Sequence, residues 1–118
     1  MPSTGLKGPY VLNWANVDNE VLAGVGVYAL GNLNMRREFV VRYVGRSDGD
    51  LSVWIRRWVG RYEAFQFAHF DTRIEAFETE CRLFHEFGGV NALDNDVHPA
   101  RPPNTTVRCP NANCRELV

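Results

Sequence analysis

Two tyrosines, set where arginines and carboxylates can reach them, are the residues of this chain best suited to chemistry. Gly26-Val27-Tyr28 and Tyr43-Val44-Gly45 each place a phenol at the polar boundary of a β-type run. The runs are Val25-Gly26-Val27-Tyr28-Ala29-Leu30 and Phe39-Val40-Val41-Arg42-Tyr43-Val44, and a hairpin joining them would bring both phenols to one pocket. Two phenols beside an arginine fork and a carboxylate suit phosphodiester chemistry. A free phenol ionises near about pH 10, so a tyrosine acting as a base at neutral pH needs cationic neighbours or metal-bound water.

The elements that must position these groups follow from periodicity. The first strand is expected at about 25–30, the turn at Gly31-Asn32-Leu33-Asn34 and the second strand at about 38–44. Ser47-Asp48-Gly49-Asp50 offers N-caps for a helix over about 51–59, in which Leu51, Trp54, Ile55, Trp58 and Val59 recur at helical spacing. Phe65, Phe67 and the run from Ala68 to Phe70 predict a short third strand. Asp71 or Thr72 caps a helix over about 73–87 that Gly88-Gly89 ends, with Ile74, Phe77, Cys81, Phe84 and Phe87 on its buried side. Residues 1–24 read as an ordered lead-in with Trp14 in the core, and residues 90–118 as a proline-rich, loop-built segment wrapped on that core.

Composition bounds what such a pocket could serve. A chain of 118 residues fits one domain with one core. A net charge of −1 excludes a protein that coats nucleic acid by bulk electrostatics, so phosphate binding must be local. Lys7 is the one lysine among thirteen basic residues; the others are arginines, whose planar fork suits phosphate oxygens. No apolar run is long enough to span a bilayer and no apolar signal core opens the chain, which gives the expectation of a cytoplasmic protein with no membrane partner. Three cysteines cannot pair completely, in keeping with a reducing compartment. Cys109 and Cys114 bracket Pro-Asn-Ala-Asn like half of a zinc knuckle, but the gap is wider than the usual two residues. Zinc is therefore disfavoured; were it bound, His98 would be the third ligand, with the fourth unidentified. His69 and His85 read as packing or surface residues.

The order of these motifs resembles the GIY-YIG nuclease superfamily. Its two namesake tripeptides read here Gly26-Val27-Tyr28 and Tyr43-Val44-Gly45, followed by the basic Arg46, the capped turn Ser47 to Asp50, and Leu51 opening a helix. The Glu-Ala-x-x-x-Glu of a later family helix is matched by Glu75-Ala76-Phe77-Glu78-Thr79-Glu80, and Asn95 in Asn95-Asp96-Val97-His98-Pro99 resembles the asparagine beyond it, with Asn91 a weaker candidate. The resemblance covers about residues 22–100, leaving 1–21 as lead-in and 101–118 as extension of a single domain. It implies an α+β fold: a small three-stranded antiparallel sheet flanked by helices.

The resemblance also implies roles. Tyr28 would act as general base or orient the attacking water, Tyr43 would hold the water or phosphate network, and Arg46 would bind the scissile phosphate. Glu80 would anchor one divalent cation, Mg²⁺ or Mn²⁺, and Asn95 would orient phosphate or structure. The expected partner is DNA, duplex or branched, with a protein partner able to supply specificity. Arg46, Arg56, Arg57 and Arg61 would form a basic stripe along its backbone.

One position departs from the pattern. Where the family places an arginine three residues after Leu51, this chain has Trp54, which supplies neither cation nor fork. Trp58 stands where many relatives have histidine. Three readings follow: Arg56 or Arg57 serves the phosphate instead, the chain is a nucleic-acid-binding module with weak or no turnover, or Trp54 is a substitution that silences a nuclease.

Overall fold

The structure, a computed structural model, describes residues 3–111 and 114. The chain runs β1 (Lys7–Val11), α1 (Trp14–Glu20), β2 (Gly26–Leu33), β3 (Phe39–Ser47), α2 (Leu51–Arg56), β4 (Ala64–His69), α3 (Arg73–Glu86) and α4 (Gly89–Ala92). It is an α+β fold on a four-stranded antiparallel sheet of order β1-β4-β2-β3. The expected sheet of three strands is thus one strand short. The missing strand comes from the lead-in, where Gly8-Pro9 interrupts the alternation; β1 lies at the sheet edge, where a proline without an N–H is tolerated.

The alternation of β2 divides the core. Tyr28 and Leu30 face one way and pack with Val17 of α1, Leu51 and Ile55 of α2, and Phe65 and Phe67 of β4. Val27 and Ala29 face the other way and pack with Val44 of β3 and Ala76, Leu83 and Phe84 of α3. Helix α1 is capped by Asn13, α2 by Asp50 and α3 by Thr72, each accepting from a backbone N–H in the first turn. Two expected core residues lie outside: Trp14 is 58% exposed at the start of α1, and Ile74 is 43% exposed in the first turn of α3. Both lie in the first turn of their helices.

The β2–β3 turn falls later than expected. Gly31 stays in β2, next to a bulge, because its missing side chain lets the Val40 carbonyl approach. The chain reverses at residues 34–38, where Asn34 Oδ1 accepts from the N–H groups of Arg36 and Glu38, both at 2.9 Å. Across the same ladder Gly45 pairs with Tyr28, whose ring lies over the glycine.

Strand β3 would be a bare sheet edge, but the chain after α4 returns along it. Asp94 N–H donates to the Arg42 carbonyl at 2.6 Å. The Asn95 amide then imitates a strand residue, accepting from Val44 N–H at 3.0 Å and donating to Val44 C=O at 2.8 Å. The edge is thereby closed to pairing with another chain. Among the described residues no helix is long and apolar enough to cross a membrane.

Gly45→Ala should destabilise the fold by about 1–3 kcal/mol in urea denaturation, because a Cβ there collides with the Tyr28 ring. Gly49→Ala, which meets open space, should stay within about 0.5 kcal/mol of the parent.

Candidate functional site

Arg46 on β3 is the most heavily bonded side chain among the candidate residues. Its Nε donates to Asp48 Oδ1 at 2.7 Å and its Nη2 to Asp48 Oδ2 at 3.3 Å, a two-pronged grip on the loop before α2. Its Nη1 donates to Glu80 Oε1 on α3 at 2.7 Å and to the Ala100 carbonyl at 2.8 Å. The guanidinium also lies 5.4 Å from the Phe77 ring centre, one helical turn before Glu80. One cation therefore serves two carboxylates.

That imbalance sets the electrostatics. Burial works against the charge of Arg46, but its hydrogen bond to Asp48 and the charges of Glu80 and Asp48 outweigh it, so its pKa rises. For Glu80 burial dominates: despite the pull of Arg46, its carboxyl is pushed up to about 7. Asp48 is the more exposed of the two partners and retains water, whereas Glu80 must share a cation already committed elsewhere.

The phenols belong to the opposite face of the sheet. Tyr28 is 3% exposed, and its hydroxyl accepts from Trp58 Nε1 at 3.2 Å. Tyr43 is half-buried between Tyr28, 6.4 Å away by ring centres, and Trp58, 4.6 Å away. Burial pushes Tyr28 well above the usual phenol range; the Trp58 hydrogen bond and the Arg57 charge only partly offset it. Tyr43 rises too, first from burial and then from the charges of Glu80 and Asp96. Glu80 raises both phenols, so the two faces communicate around the edge of β3.

They meet in a cavity of about 420 Å³ walled by Tyr43, Trp58, Glu80, Asn95 and the chain through His98 to Ala100. Asp94 and Asp96 join Glu80 on its lining, but Asp94 is already engaged, its Oδ1 by Arg42 Nη2 at 2.9 Å and its Oδ2 by the Tyr62 hydroxyl at 2.8 Å. Asn95 is buried and fully used in clasping β3, which makes it a positioning residue. Asn91 is exposed in α4, away from this lining. A larger cavity of about 650 Å³ lies on the outer side of α3, between Glu75, Glu78 and Arg82 and the C-terminal segment; it contains none of the tyrosines and neither Arg46 nor Glu80.

The arginines expected to form a stripe divide into two kinds. Arg56 is engaged by Asp18 of α1, with Nη2 to Oδ1 at 2.8 Å. Arg57 and Arg61 make no ion pair among the described residues and lie over indoles instead, Arg57 at 4.6 Å from Trp54 and Arg61 at 5.9 Å from Trp58. Trp54 is 42% exposed, and the four side chains line a cleft of about 270 Å³ that shares Trp58 with the 420 Å³ cavity beside β3.

A second chemical grouping lies beyond Glu80 on α3. The ligating atoms of His85, His98, Cys109 and Cys114 all fall within 4.8 Å of one another. His98 Nε2 is 3.3 Å from both His85 Nε2 and Cys114 Sγ, and its Nδ1 is 2.8 Å from the Pro99 carbonyl. Cys81, one turn before His85, is buried; burial and then its hydrogen bond with Cys109 hold its thiol well above the ordinary range. His85, expected to be a packing or surface residue, is thus one of a group of side chains that could hold a metal ion. The signal for it in the sequence was its place one turn after Cys81 on the buried side of α3, combined with the downstream histidine and paired cysteines.

No family model, curated protein or solved structure matches this chain.

Glu80 gives the site a pH signature. The folded chain holds its proton more tightly than the unfolded chain, with a pKa of about 7 against an ordinary 4.5. Its contribution to stability is therefore full below pH 4.5 and lost as pH rises through 7. Glu80→Gln, which mimics the protonated acid, should remove this slope. Its unfolding free energy should gain on the parent by up to about 3 kcal/mol between acid and about pH 8, as read from urea titrations across that range.

Proposed function

We propose that the chain is a metal-dependent DNA endonuclease of the GIY-YIG type, hydrolysing a phosphodiester in the cavity beside β3. The observation that carries this reading is convergence: Tyr43, Glu80 and Asn95, spread over 52 residues of sequence, wall one cavity, with Arg46 bonded to Glu80 and Tyr28 linked to the lining through Trp58. Glu80, on that lining, would hold the Mg²⁺ or Mn²⁺. Such an ion, when bound, stabilises the leaving oxygen and the charge on the phosphate.

The residues of the chain then divide the work. Tyr43, half-buried on the cavity wall, positions water or phosphate. Tyr28, deeper and held by Trp58, is far from a ready phenolate, so it acts by orienting water through its hydroxyl. Arg46 meets a phosphate by exchanging its Asp48 grip for the ligand's oxygens, since both carboxylates already occupy its fork. Arg57 and Arg61, with Trp54 and Trp58, give the DNA backbone cations and its bases a stacking surface.

The exposed Trp54 also favours a second reading, a nucleic-acid-binding module with weak or absent turnover, because the cation that the family pattern places there is lacking. The two readings separate in a cleavage assay on plasmid, branched and single-stranded DNA with Mg²⁺ or Mn²⁺. A nuclease should lose cleavage in Tyr28→Phe and in Glu80→Ala while circular dichroism shows retained folding, and full activity in either variant rejects the assignment. Trp54→Arg should raise the rate by about 10² to 10³ if the missing cation limits turnover. Salt-sensitive DNA binding that is indifferent to Glu80→Ala, with no cleavage by the parent or by Trp54→Arg, establishes the binding module instead.

A further inference from the structure

We propose that His85, His98, Cys109 and Cys114 hold one structural zinc ion, which staples the proline-rich segment 98–111 to the end of α3. The donors are two imidazoles and two thiols, a set that selects zinc over the hard ions suited to carboxylates. Zinc bonds of about 2.0–2.3 Å put neighbouring ligands of a tetrahedron about 3.3–3.8 Å apart. The contacts of His98 Nε2 with His85 Nε2 and Cys114 Sγ, both 3.3 Å, match that edge. With its Nδ1–H donating to the Pro99 carbonyl at 2.8 Å, His98 keeps its proton on Nδ1 and turns the Nε2 lone pair inward, the usual backing of a zinc-bound histidine. Two neighbours then converge on one lone pair, an arrangement that a shared cation satisfies better than two competing hydrogen bonds.

Four protein ligands leave no open position, so the ion is structural. The four residues between Cys109 and Cys114 lie within the range of zinc-binding pairs, wider than a knuckle's two. What the ion would fix is chemically relevant. Residues 93–111 contain no helix or strand, yet they deliver Asn95 to Val44 and the Ala100 carbonyl to Arg46. A cross-link from this segment to His85, next to the last residue of α3, Glu86, supplies the rigidity that secondary structure does not.

The test uses the full chain and the metal alone, independent of any cleavage. Purified protein should carry one zinc per chain by elemental mass spectrometry, and Co²⁺ exchanged for it should show the intense visible bands of a tetrahedral site with thiolate ligands. Cys114→Ser and His85→Asn should each lower zinc affinity by at least about 100-fold. Stripping zinc from the parent should speed proteolysis within 98–111 at least about tenfold, with excess Mg²⁺ giving no protection. Absence of stoichiometric zinc, a weak octahedral Co²⁺ spectrum, or an affinity unchanged by Cys114→Ser each overturns the proposal.

Discussion

Three stretches of chain that are remote in sequence meet on the guanidinium of Arg46: its own strand with the turn that follows and holds Asp48, helix α3 through Glu80, and the returning segment through Ala100. The arrangement works because a planar fork can bond in several directions at once, which a lysine ammonium at the same place could do only as a point charge. It leaves a charge mismatch, two carboxylates for one cation, concentrated on the more buried acid. Glu80 is therefore held with its carboxyl pushed up to about 7, where its charge changes near neutrality.

The phenols are constrained differently. Tyr28 can lie flat across the sheet because Gly45 opposes it, and that closeness buries the ring and withdraws its hydroxyl from water. Burial is the larger influence on its acidity, and the indole donor from Trp58 offsets only part of it. Tyr43 and Trp58 stack beside it and carry the aromatic surface outward to the cleft of Trp54, Arg57 and Arg61. The site is thus a cavity with acidic side chains on its lining, joined through Trp58 to a cationic, aromatic flank.

Local patterns in the sequence were legible where one element decided the outcome. The β2 and β3 runs, the caps at Asp50 and Thr72, and the glycine stop after α3 all depend on neighbours within a few residues. What escaped was settled at long range. β1 forms because Lys7–Val11 finds the open side of β4, not because its own sequence favours a strand. Glu80 reads as a surface carboxylate on its helix, and it is buried because Arg46, 34 residues earlier, provides a partner. The same holds for His85: its spacing to His98 and the cysteines becomes meaningful only once the C-terminal segment folds back on α3.

That return of the chain links the two chemical groupings. Asn95 closes the β3 edge with both ends of its amide, Ala100 occupies an arginine donor, and between them His98 leads into the histidine and cysteine cluster. The segment therefore has one side in the acidic cavity and the other against the end of α3. Loosening it would free Arg46 Nη1 from Ala100 and unclasp Val44, next to Tyr43 and Gly45, so a defect at the cluster would be felt as misplacement of the cavity's groups. The arginine is already divided between two acids, and the loss of one fixed carbonyl would let it settle further onto Asp48, away from Glu80. The position of the Glu80 carboxylate thus depends on a segment without regular structure, which is why that segment needs an anchor of its own.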